Sequence, residues 1–112
     1  MKSPMQNKPK ESDWRRFSKL VPSWRERYLE KKNKEILLIL IDENNTPTER
    51  FWNAERRMAK EAKILRDCLD GHSRSSMFRY LILMYGYKLI EEPDLSEFSD
   101  ELRTRVLASD GA

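Results

Sequence analysis

The sequence predicts a mainly α fold, four to five helices packed into one small domain. Three observations predict it. Apolar residues recur at steps of three and four along most of the chain, which is the period of one helix face. Thr46-Pro47-Thr48-Glu49 is a complete helix start, with Thr46 as N-cap, Pro47 at the first helical position and Glu49 closing a capping box. Gly71 and Gly86 stand where two helical patterns end. At 112 residues the chain holds one domain. It is read over 12–108, between a flexible basic arm at 1–11 and a frayed tail at 109–112.

Trp14, Phe17, Val21, Trp24 and Tyr28 mark the first helical face. Pro22 interrupts it, because proline lacks the N–H that a helix interior needs. The reading is therefore two helices, at about 12–20 and 24–33, the second capped by Ser23 with Glu26 three residues later. Ile36 to Ile41 is apolar throughout and reads as a further helical stretch or as a single short strand at 35–41. In either form it is a core element or an oligomer contact. The helix from Pro47 runs to about Asp70, with Phe51, Met58, Ala62, Leu65 and Leu69 on one stripe. The next, from about Ser73 to Tyr85, is apolar on nearly every face and should be the most buried. Together they form a helix-turn-helix corner over 47–85, the centre of the domain. Tyr87 to Asp94 is a connector, with an extended piece at Tyr87–Ile90. Asp94 then caps a last helix, with Glu97 at its third position and Leu95, Phe98, Leu102 and Val106 on its buried face.

Composition narrows the function. Residues 8–34 hold ten Lys/Arg against four Asp/Glu, and residues 86–112 hold three against seven. A basic front and an acidic rear imply an anionic partner, or head-to-tail pairing between copies. Three glycines leave no phosphate loop or dinucleotide fingerprint. Cys68 and His72 lack the further ligands of a zinc site and the orienting group of a nucleophile pair, so they read as a core thiol and a turn histidine. No enzyme activity, metal or cofactor is expected. A lone cysteine fits a reducing compartment, and no apolar run is long enough to span a bilayer. The expectation is a cytoplasmic protein with no membrane partner.

The stretch Asp70 to Tyr80 carries the sharpest chemistry. Gly71 closes one helix, Ser73, Ser75 and Ser76 are N-cap residues for the next, and Arg74 and Arg79 stand beside its start. A helix N-terminus with hydroxyls and guanidinium groups is a phosphate site. Over residues 55–85 this pattern resembles two families of small DNA-binding proteins, the ribbon-helix-helix and helix-turn-helix types. The resemblance implies that Ser73, Arg74, Ser75 and Arg79 position the protein on a duplex. The basic residues Arg15, Arg16, Lys19, Arg25, Arg27, Lys31 and Lys32 would add sequence-independent attraction to double-stranded DNA. The leading expectation is thus a small DNA-binding regulator or accessory factor, acting as a homodimer. The alternative is an interaction adaptor or inhibitor of phage or plasmid type that docks on a host protein complex.

Overall fold

The structure is a computed structural model that describes residues 10–109. The arm and the tail lie outside it, apart from Lys10, Glu11 and Ser109. The described residues form four helices and no strand: α1 (Glu11–Leu40), α2 (Pro47–Leu69), α3 (Met77–Gly86) and α4 (Asp100–Ala108). Two 3₁₀ turns, Arg74–Ser76 and Glu92–Leu95, punctuate the connections. The mainly α expectation holds. The molecule is long and thin, 64 × 22 × 21 Å. Its base packs the first half of α1 against the end of α2, α3, α4 and the connector. The rest of α1 and the start of α2 stand out from that base as a two-helix hairpin.

α1 corrects the first reading. It is one helix of 30 residues that passes through Pro22, and it absorbs 35–40 as well, so neither a break nor a strand forms. The physical reason is phase. Phe17, Val21, Trp24 and Tyr28 are buried on both sides of the proline without a change of face, and a break would uncover half of them. Burying such side chains contributes about 1.5–3 kcal/mol each, against roughly 3 kcal/mol for an interior proline. Pro22 is exposed, so the carbonyl it leaves unpaired faces water. Ser23 does not cap a helix; its hydroxyl donates back to the Leu20 carbonyl at 2.8 Å.

The start of α2 is as read. Thr46 Oγ1 accepts from Glu49 N at 3.1 Å, and Glu49 Oε1 accepts from Thr46 N at 2.8 Å. Its faces are not. The apolar stripe is a core face only at its end: Leu69 is buried and Leu65 packs half-buried against the core, whereas Ala62 is half-buried and Phe51 and Met58 are exposed. The buried side is Ala54, Glu61, Ile64, Cys68 and Leu69. Gly71 takes the expected positive φ, 72°, just past the helix end. α3 buries Met77, Leu81 and Met84, and Arg79 alone among residues 77–85 is exposed.

The connector has no extended piece at 87–90. Lys88 turns left-handed at φ 62°, and Leu89 N donates to Met84 O at 2.8 Å, folding Leu89 and Ile90 into the core. Asp94 does not cap the last helix. It closes the 3₁₀ turn by accepting from Glu91 N at 2.8 Å, and Ser99 caps α4 by accepting from Leu102 N at 3.3 Å. Ser99 in turn is tied to α1: its N–H and hydroxyl donate to the two oxygens of buried Asp13 at 2.8 and 2.7 Å.

Candidate functional site

The Ser73–Arg79 corner forms at the expected place, but Ser73, Ser75, Ser76 and Arg74 are engaged within the chain. Ser73 N donates to Ser76 Oγ at 3.1 Å, and the Ser73 hydroxyl lies 2.8 Å from Ser76 Oγ and 3.3 Å from Ser75 Oγ. The Arg74 guanidinium donates twice to Glu11, at 3.1 and 3.0 Å, and lies over the Trp14 ring with 5.5 Å to the centroid. The hydrogen bond from Arg74 holds the Glu11 carboxyl below its usual range. Arg74 thus straps the first turn of α1 to the corner. Arg79 is exposed over the Tyr80 ring at 5.7 Å. Gly71 is flanked by Asp70 and His72. The His72 ring sits edge-on between Phe17 and Tyr80, with Nε2 2.7 Å from the Cys68 carbonyl.

The basic residues of α1 do not converge on one surface. Arg15 pairs with Glu11 at 3.7 Å, Arg16 with Glu97 at 3.3 Å, and Arg27 with both oxygens of Asp94 at 2.7 and 2.9 Å. Lys32 pairs with Glu35 at 3.4 Å and lies 3.9 Å from Glu61. Lys19, Arg25 and Lys31 have no acidic partner among the described residues. They are six residues apart, and at about 100° per residue they leave the helix in three different directions. A shallow depression lined by Ser12, Arg15, Arg16 and Lys19 brings three of the candidate cations together on α1.

The hairpin carries a second surface that the motif reading did not single out. Its inner seam is ionic. Glu61, 5% exposed, accepts from the Tyr28 hydroxyl at 2.5 Å and from Arg57 Nε at 2.9 Å, and Arg57 also pairs with Glu35. Burial pushes the Glu61 carboxyl up, but the hydrogen bonds from Tyr28 and Arg57, with Lys32 nearby, outweigh it and leave it below its usual range. The same burial, with the carboxylate opposite, drives the Tyr28 hydroxyl far up. Nearer the tip, Arg50 donates to the Leu40 carbonyl at 3.1 Å, and only Ile36 and Ala54 are buried apolar residues, apart from the main core.

The large apolar side chains of the hairpin are on its outside. Leu37, Leu38, Leu40, Ile41, Phe51, Trp52 and Met58 are between 43% (Leu40) and 64% (Leu38) exposed. Tyr28, Lys32, Glu35 and Ile36 fix the side of α1 that meets α2, and Arg50, Ala54, Arg57 and Glu61 the side of α2 that meets α1. From those, helical geometry places Leu40 on the same flank as Phe51 and Met58, with Leu37, Ile41 and Trp52 at its outer edges and Leu38 on the opposite flank. The Phe51 and Trp52 rings meet edge-on at 5.0 Å.

Among the described residues no helix is long and apolar enough to cross a membrane, and no three metal-ligating side chains cluster. Comparison of the chain with protein-family models, with curated proteins and with solved structures finds no match.

Proposed function

We propose that this protein is an interaction adaptor that docks on another protein through the outer flank of the α1–α2 hairpin. The observation that carries the proposal is the apolar stripe of α2. Phe51, Met58, Ala62 and Leu65 keep the spacing of a buried face, yet Phe51 and Met58 stand in water on the flank that also carries exposed Leu40. Exposed apolar patches of this extent mark interaction sites. The basic helices contribute less than their sequence suggests, because Arg15, Arg16, Arg27, Lys32 and Arg74 are already paired with acidic groups of the same chain. Exposed aromatic and methionine side chains, here Phe51, Trp52 and Met58, are the residue types enriched at protein interfaces. The test is capture from a lysate of the protein's own cells. The immobilised parent should retain at least one protein that immobilised Phe51→Glu loses; identical retention by both would overturn the reading.

A second reading, a small DNA-binding protein, is favoured by the Ser12, Arg15, Arg16 and Lys19 depression and by exposed Arg79, which has no acidic partner among the described residues. Its signature is a linear fall of log K with log salt on a mixed-sequence duplex, at about −0.9 per neutralised phosphate. Lys19→Ala with Arg79→Ala should flatten that slope. A slope equal to the parent's would remove these residues from any nucleic-acid contact.

A further inference from the structure

We propose that the cavity between α1 and the connector after α3 binds a small phosphate monoester, held between the ammonium groups of Lys31 and Lys88. None of its lining residues belongs to the hairpin flank, so the site does not depend on the docking reading.

The cavity measures about 340 Å³, within the range of roughly 300–1,000 Å³ for sites that take small molecules. Two elements wall it. Arg27 and Lys31, one turn apart on α1, form one side, and the connector brings Lys88, Leu89, Glu91 and Asp94 to the other. The two walls are tied together. The Arg27 guanidinium donates to both oxygens of Asp94, at 2.7 and 2.9 Å, and to the Leu89 carbonyl at 3.2 Å. Asp94 is held again by the Glu91 N–H at 2.8 Å. The site is thus formed before a ligand arrives.

The donors left over define the ligand. Arg27 and Asp94 neutralise each other, whereas Lys31 and Lys88 have no acidic partner among the described residues. A planar carboxylate is best matched by a guanidinium fork, and the one fork of this cavity is taken by Asp94. Two ammonium groups remain, point charges with rotatable donors, which suit phosphate. A phosphate monoester carries roughly −1.5 to −2 charges near neutral pH, enough to engage both. A diester, as in a nucleic-acid backbone, carries a single charge. Glu91, the other acid of the lining, offers an acceptor to a hydroxyl on the body of the ligand, and Pro93 an apolar contact.

The backbone at Lys88 supports the assignment independently. α3 closes with a pair of hydrogen bonds that needs a left-handed residue: Leu89 N donates to Met84 O at 2.8 Å and Lys88 N to Tyr85 O at 3.2 Å. That residue is Lys88, at φ 62°, the one non-glycine with positive φ among the described residues. Glycine would take this conformation without strain. A cation here also meets the negative end of the α3 dipole. A lysine in place of Tyr87, with glycine after it, would serve the dipole equally and avoid the strain. Instead the strained position is the one whose side chain lines the cavity, as is common where a ligand is held.

Titration of the isotope-labelled chain at constant ionic strength, followed by nuclear magnetic resonance, tests the proposal. Phenyl phosphate should shift the amides of 27–31 and 88–92 saturably in the millimolar range, and inorganic phosphate should compete with it. Dimethyl phosphate, a diester, should bind about tenfold more weakly or worse, for want of one charge-assisted hydrogen bond. Lys31→Gln and Lys88→Gly should each weaken phenyl phosphate by a similar factor of about ten. Lys60→Gln should not, since Lys60 is exposed on α2 and does not line the cavity. Lys88→Gly also separates site from scaffold. It relieves the left-handed strain, so its melting temperature should equal or exceed the parent's while its binding falls. Lys31→Gln changes an exposed side chain of a long helix and carries the test if Lys88→Gly does not fold. The absence of saturable shifts at these amides overturns the proposal. So does equal binding of the diester, equal weakening by Lys60→Gln, or parental binding by the cavity variants.

Discussion

Replacement of Glu61 by alanine is expected to lower the folding free energy by about 3–5 kcal/mol, the range for breaking a buried ionic cluster by deleting one partner. Glu61 is 5% exposed and accepts from Tyr28 and Arg57, with Lys32 3.9 Å away. Its removal leaves the buried Tyr28 hydroxyl without its acceptor and Arg57 with Glu35 alone as carboxylate partner. Urea unfolding followed by circular dichroism measures the loss. Glu61→Gln, which keeps an acceptor for Tyr28, should lose less; equal losses would show that the carboxylate charge, and not a neutral acceptor, holds the seam. The pH dependence has a definite sign. Asp94, like Glu61, is pushed up by burial, and the hydrogen bonds from Arg27 and from the Glu91 N–H outweigh this to leave it below its usual range. Carboxyls with lowered folded values bind fewer protons in the folded than in the unfolded chain. Their contribution is complete above the ordinary carboxylate range and is lost as pH falls through the folded values. In Glu61→Gln that acid-side slope should be shallower than in the parent.

Phe17→Ala is expected to cost about 3–5 kcal/mol, which lowers the melting temperature by on the order of 15–30 °C for a domain of this size. Phe17 is fully buried, its ring 5.8 Å from Trp14, 6.3 Å from Trp24 and 4.9 Å from His72. It joins the first half of α1 to the turn after α2. Phe17→Leu keeps most of the volume and should cost well under half as much. A loss below about 1 kcal/mol for the alanine variant would mean that the base collapses around the gap. The Glu61 and Phe17 substitutions lie in the hairpin seam and the base core respectively. Their effects on stability should therefore be close to additive.

Local rules read well from this sequence, and long-range ones did not. Thr46, Pro47 and Glu49 interact within four residues, so the start of α2 was legible in full. Gly71 was legible because its conformation is a local backbone need. Pro22 misled because its local penalty was visible while the burial of Trp24 and Tyr28, which depends on α2 and α4, was not. Asp94 and Ser99 are both competent N-caps by type, and the choice between them is made by Asp13, 86 residues from Ser99. The candidate site suffered most from the same limit. Arg74 and Arg27 looked free in sequence, yet their carboxylates lie 63 and 67 residues away. The α2 stripe was visible by period, but period marks a face to be covered without saying whether the cover comes from the same chain.

Cys68 makes the protein its own reporter of breathing. It is the sole thiol, with no exposed surface, and burial pushes its ionisation up to about 11. Thiols react as thiolates, so the closed molecule is doubly inert to an alkylating or disulfide reagent near neutral pH. Any modification must pass through an opening that separates α2 from α1 and α3. The labelling rate, set against that of the unfolded chain, therefore reads the free energy of that opening directly, without an introduced probe.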